Sequence, residues 1–127
     1  MVAAKMLLRL MLENGTLIEN PTDEAIKTAL YTLVPDANAF AVLERVTPGE
    51  DFTSLEDSTV GLDPLSSFYL QTLAVGHGFT LEYQEGPIDS RYQCKGLRLA
   101  EVIQAFQAYA QGHRHWKRQF AWIKLET

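Results

Sequence analysis

In its last third the chain switches from one hydrophobic period to another, and the switch limits the folds open to it. Over 79–85, Phe79, Leu81 and Tyr83 alternate with Thr80, Glu82 and Gln84. A period of two is how a strand turns one face to a core. Gly76-His77-Gly78 before it and Gly86-Pro87 after it read as turns. Over Leu99–Ala110, by contrast, Leu99, Val102, Ile103, Phe106, Tyr109 and Ala110 recur at spacings of three and four. That is the stripe of an amphipathic helix, with Glu101, Gln104 and Gln107 facing away from it and Gly112 positioned to end it. A one-sided strand and a one-sided helix both need an apolar surface to cover them, which predicts helices laid on a sheet.

The rest of the chain supplies the other layers. Segment 4–12 is apolar with Lys5 and Arg9 inserted, and it ends at Asn14-Gly15, a hairpin signal that makes 16–19 its return strand. Asn20-Pro21-Thr22-Asp23-Glu24 reads as a helix start, with Asn20 as the cap and Pro21 in the first helical position. Ile26, Ala29, Leu30 and Leu33 share one face of that helix, and Pro35 marks its end. Segments 38–46, 68–75 and 90–94 read as strands, 114–120 as a short helical turn and 121–125 as a last strand. The expectation is an α+β fold, a mostly antiparallel sheet with two main helices packed on it. The 127 residues form one domain, 1–127, long enough to bury roughly two-thirds of the surface of the unfolded chain.

Charge is unevenly placed. Residues 1–90 carry four basic against fourteen acidic side chains and residues 91–127 carry seven against two, giving −10 and +5 and a net charge of −5. The acidic share peaks in 47–67, which holds Glu50, Asp51, Glu56, Asp57 and Asp63 and no basic residue. The split reflects either two faces with different partners or two segments that neutralise each other. Net acidity argues against nonspecific nucleic-acid binding, which needs a basic footprint. Cys94 stands alone, so no intramolecular disulfide forms. No signal peptide and no apolar run of about 20 residues is present, and a cytoplasmic location is expected.

Catalytic patterns are scarce. His113-x-His115 is the most metal-like pair, but closed zinc sites take four ligands and catalytic ones three plus water. Only His77 and Cys94 remain as nitrogen or sulfur donors, each isolated in sequence. Cys94 with His77 as nucleophile and base lacks any recognisable flank. The acids of 47–67 do not follow the calcium-loop pattern. Arg114, His115, Trp116, Lys117 and Arg118 would meet a phosphate or RNA, or else Trp116, Phe120 and Trp122 pack on the sheet while the charges face water. No metal, cofactor or catalytic residue is assigned, and the chain reads as a binding protein and not an enzyme.

Several segments taken together resemble the immunity proteins of bacterial polymorphic toxin systems, most closely the Imm1-like group. They are Asn20-Pro21-Thr22, Phe68-Tyr69-Leu70-Gln71 followed by Phe79-Thr80-Leu81-Glu82-Tyr83, the stretch from Leu99 through Tyr109 to Gly112, and the tail from Trp116 to Trp122. The resemblance implies a cytoplasmic antitoxin that binds a cognate toxin domain, often a nuclease, and masks its active site or substrate path. It carries no catalytic residues. From charge alone, the partner-binding candidates are Glu50, Asp51, Glu56, Asp57 and Asp63, with Glu82 and Glu85 beside them. The alternative is a small-molecule-binding domain or small enzyme with a pocket between sheet and helix. A homodimer is compatible with either.

Overall fold

The computed structural model describes residues 7–46, 67–87 and 89–125. The elements run β1 (Leu7–Leu12), β2 (Leu17–Glu19), α1 (Asp23–Leu30), β3 (Phe40–Val46), β4 (Ser67–Val75), β5 (Gly78–Gly86), β6 (Arg91–Leu97), α2 (Leu99–Ala110), α3 (Trp116–Gln119) and β7 (Ile123–Lys124). The strands form one antiparallel sheet in the order β2-β1-β3-β4-β5-β6-β7. The fold is α+β, as the two periodicities require.

Strand alternation decides which face is covered. Leu10, Leu43, Leu70 and Leu81 are fully buried, as is Thr72, whose hydroxyl donates to the Thr80 carbonyl at 2.7 Å. Their faces meet Ile26 and Leu30 of α1 and Val102, Ala105 and Phe106 of α2 in one core. Each large aliphatic or aromatic side chain buried there contributes roughly 1.5–3 kcal/mol against exposure. At the β5–β6–β7 end the core turns aromatic. Tyr83 stacks on Tyr92 at 5.1 Å and meets Trp116 and Trp122 edge-on at 5.1 and 4.7 Å. Trp116, the largest fully buried side chain, donates its indole N–H to the His113 carbonyl at 2.9 Å. The tail tryptophans thus pack on the sheet.

Local details differ from the sequence reading at several points. α1 begins at Asp23, so Pro21 precedes the cap and is not the first helical residue, and it ends at Leu30, before Leu33 and Pro35. The cap of α1 is Thr22, whose hydroxyl accepts from the Ala25 N–H at 3.1 Å. Asn20 instead adopts a left-handed conformation (φ 47°) and accepts the Leu8 N–H on its side-chain carbonyl at 3.0 Å. It therefore ties the hairpin to the helix entry, three residues before the helix begins at Asp23. β6 also runs past Cys94 to Leu97, because an extra residue is absorbed between the pairs Leu81↔Cys94 and Phe79↔Leu97. Gly96, at φ 75°, supplies the conformation such a bulge demands.

α2 ends as its sequence foretells. The His113 and Gly112 N–H groups bond back to the carbonyls of Ala108 and Tyr109, at 2.9 and 3.1 Å, with Gly112 at φ 82°. This cap turns the chain sharply and places 112–116 beside the sheet.

Candidate functional site

Helices cover one face of the sheet. On the other, among the described residues, no helix packs. Register sets its layout. Glu19, Arg9, Glu44, Tyr69, Gln84 and Arg91 fall in one row across six strands, and Leu17, Met11, Val42, Gln71, Glu82, Gln93 and Ile123 fall in the next. Phe40, Leu73 and Thr80 form a third.

This open face has a polar and an apolar part. The middle of the face, over β4, β5 and β6, is polar, with Gln71, Glu82, Arg91 and Gln93 around the fully buried Gln84. Tyr69 donates its hydroxyl to Glu82, and its own ionisation is pushed well above the tyrosine range by burial, then by the Glu82 bond and charge, against an opposing pull from Arg91. The apolar part is the end of the face made by β2, the ends of β1 and β4 and the start of β3; one row away, Arg9 of β1 and Glu44 of β3 form an ion pair at 2.9 Å. Leu17, Phe40, Leu73 and Val75 are 54%, 37%, 38% and 52% exposed, with Met11 and Val42 half-buried between them. Glu13, Glu19 and Asp36 stand exposed around this patch. Where the β4–β5 turn meets the α1–β3 loop, Glu13, Asp36, Phe40, Leu73 and Val75 help line an open cleft of about 420 Å³. The reading of 68–75 as a strand did not show that Tyr69, Gln71 and Leu73 face away from the helices.

Of the acids proposed from sequence, Glu82 and Glu85 fall among the described residues, and they lie on opposite faces of the sheet. Glu50, Asp51, Glu56, Asp57 and Asp63 lie outside the described residues, in the segment that leaves β3 at Val46 and rejoins β4 at Ser67. Glu82 lies on the open face, tied to Tyr69. Glu85 lies on the helix side, where Lys117 binds one carboxylate oxygen and Arg114 the other at 3.1 Å. Burial alone would raise the Glu85 carboxyl, but the two cations more than reverse it and hold the group below its ordinary range. A carboxylate neutralised from within the fold offers little field to a partner.

On the helix side a second cleft, of about 320 Å³, opens between the sheet and the end of α2. Leu8, Arg45 and Glu85 line it from the strands, Tyr109 from the last turn of α2, His113 and Arg114 from the turn after it, and Trp116 from the start of α3. The Tyr109 side chain is 8% exposed, and its hydroxyl has no hydrogen-bond partner among the described residues. Burial pushes that hydroxyl up to about 12, Arg45 and Arg114 act against the rise and Glu85 adds to it. Arg45 makes no ion pair among the described residues, and its guanidinium carbon lies 5.3 Å from the centroid of the Phe68 ring.

The remaining sequence candidates separate. His113 and His115 are exposed with ring centroids 5.8 Å apart, and no group of three His, Cys, Asp or Glu side chains converges among the described residues. Cys94 is buried opposite Leu81, and burial pushes its thiol up to about 11, away from the thiolate a nucleophile needs. His77 is exposed in the β4–β5 turn. Among the described residues no helix is long and apolar enough to cross a membrane. Searches against protein-family models, curated proteins and solved structures returned no significant match.

Proposed function

We propose that this chain works by binding a protein rather than by catalysis. The partner we propose is the toxin domain implied by the Imm1-like resemblance, which this chain masks in the cytoplasm. One observation carries the reading: the apolar end of the open sheet face, rimmed by Glu13, Glu19 and Asp36. An apolar centre with a charged rim is how protein interfaces are built, and solvent-exposed Leu, Phe and Val clustered on one face cost a chain solubility unless a partner uses them. The acidic rim and the acids of 47–67 fit a partner with cationic surface, as a nuclease has for its phosphates, and would speed encounter with it.

The test is growth of a host expressing the C-terminal domain of the large protein encoded beside this gene, with and without the chain, together with co-purification. Protection with a stable complex is the expected result. Paired Leu73→Glu and Val75→Glu should weaken that complex about 100-fold, each central apolar contact being worth roughly 1–2 kcal/mol. Both residues are solvent-exposed, so unfolding should move by about 0.5 kcal/mol or less for each. Reversing the charges of Glu50, Asp51, Glu56, Asp57 and Asp63 should chiefly slow association. Undiminished protection by the doubly substituted chain would remove this face. A toxic neighbour that is neither neutralised nor bound would remove the pairing.

A further inference from the structure

We infer that the cleft where the β4–β5 turn meets the α1–β3 loop is a socket for one arginine side chain of a protein partner, with Glu13 and Asp36 receiving its guanidinium beside the Phe40 ring. The inference rests on the protein-binding reading above, since this cleft is one corner of the open face, and it names the group that the face selects.

The corner is built by the main chain. Register sets Phe40 against Leu73 on the open face, and Val75 follows two residues on along the same side of β4. The Ala74 N–H donates to the Ala39 carbonyl at 2.7 Å and the Glu13 N–H to the Phe40 carbonyl at 3.0 Å, so three segments are fastened together here. Asn38 fixes the loop that carries Asp36. Its side-chain carbonyl accepts the Asn14 N–H at 3.0 Å and its amide donates to the Thr32 hydroxyl at 3.1 Å. A socket held this way needs little ordering when it is filled.

Its charges are still available. One Glu13 carboxylate oxygen accepts the Ala39 N–H at 2.7 Å, which aims the group without neutralising it. Among the described residues neither Glu13 nor Asp36 is in an ion pair, and the Asp36 side chain makes no hydrogen bond. Among the described residues no lysine or arginine lines the cleft. Glu44 and Glu85 differ, each being paired with cations of the fold itself.

The walls choose among cations. Two carboxylates alone would also suit a metal ion, but no third ligand converges among the described residues. Phe40, Leu73 and Val75 instead offer an apolar wall to an alkyl stem. Lysine would bring a strongly hydrated point charge, whereas a guanidinium is planar, stacks on an aromatic face and reaches two carboxylates with one fork. At about 420 Å³ the cleft has room for such a side chain. A second copy of this chain would bring Glu13, Glu19 and Asp36 against its own acids, which disfavours pairing of like faces.

The test uses the full chain and no toxin. Backbone amide shifts would be followed by NMR during titration with N-acetyl-arginine amide, with the lysine and the neutral citrulline derivatives as controls. Saturable shifts at residues 13, 36, 40 and 73–76 are expected with the arginine derivative, with a Kd on the order of 10 mM for one side chain without the rest of its protein. The lysine derivative should bind more weakly and the citrulline derivative should not bind. Glu13→Gln keeps an oxygen for the Ala39 N–H, and Asp36→Asn suits the left-handed backbone (φ 68°), so both variants should fold as the native chain does. Each should weaken binding about two- to fivefold, as loss of one exposed charge pair does, and together they should abolish it. No saturation, an equal response to either control, or unchanged binding in the double variant overturns the socket even where the toxin is bound. Shifts that follow protein concentration in place of the probe would seat a second copy in the cleft and overturn it too. A toxin neither bound nor neutralised, with arginine binding intact, would strike the pairing proposed above and leave the socket standing.

Discussion

Replacing Glu85 by glutamine isolates what one half-buried charge does for this fold. Its carboxylate is 21% exposed and receives Lys117, 26% exposed, and Arg114, 60% exposed. Glutamine keeps the volume and an accepting oxygen but removes the charge, so Lys117 is left beside the Tyr83 ring, 5.2 Å from its centroid, without a counter-ion. A hydrogen bond to a charged group is worth roughly 1.5–3 kcal/mol, while an exposed partner such as Arg114 adds little after screening, so the expected loss at pH 7 is about 2 kcal/mol. The entropy of unfolding for 127 residues is about 0.27 kcal/mol/K at 2.1 cal/mol/K each. A drop in Tm of about 7 °C follows.

The pH dependence gives the sharper test. Because the folded carboxyl is held below its unfolded value, its contribution is complete above that unfolded value, near 4.3. It is lost as pH falls through the folded value. The difference in Tm between the native chain and Glu85→Gln should therefore be flat from pH 7 to about 5 and shrink below about 4. Calorimetry at steps from pH 7 to pH 3 measures it. A gap that stayed constant to pH 3, or one under 1 °C at pH 7, would refute the argument that the charge itself stabilises the fold.

Two further outcomes follow from the core and the first helix. Phe106→Ala, at a fully buried position of α2, should cost about 3–5 kcal/mol in urea unfolding, through lost transfer energy and the cavity left behind. Thr22→Ala should cost about 1 kcal/mol as a lost cap, whereas Asn20→Gly should retain the left-handed backbone and lose only the bond to Leu8; a larger loss at Asn20 than at Thr22 would show the cap to be weaker than the hairpin tie.

The fold was legible where one element sufficed to reveal it. The alternation in 79–85 and the stripe of Leu99–Ala110 each state their own buried face. Where two signals competed, the sequence misled: Asn20-Pro21 has the chemistry of a helix start, yet the nearby Leu8 N–H claims the asparagine, and Thr22 takes the cap. The bulge in β6 was hidden because Lys95 and Gly96 look like the end of a strand, and only the pairing of Leu97 with Phe79 shows that it continues. In β4, Thr72 and Ala74 are the buried residues while Leu73 and Val75 are exposed. Hydrophobicity alone ranks those four the other way, and the choice is made by register against β3 and β5. The helix-side cleft could not be read at all, since Arg45, Glu85, Tyr109 and Arg114 come from four separate elements or turns.

Geometry also bears on the two explanations of the uneven charge. Mutual neutralisation accounts for part of it, because Glu85 from the acidic stretch is bound by Arg114 and Lys117 from the basic one. Asp23 and Glu24 have a local use at the N-terminal end of α1, and Asp23 also accepts from Gln111 at 2.6 Å. The Glu13 carboxylate accepts the Ala39 N–H, and Glu19 and Asp36 remain exposed beside the apolar patch. β2 and β7 are the opposite edges of the sheet; toward the β2 edge the exposed acids around the apolar patch are Glu19 on the strand and Glu13 and Asp36 in the turns beside it. A cationic protein approaching the apolar end of the open face therefore meets acids first.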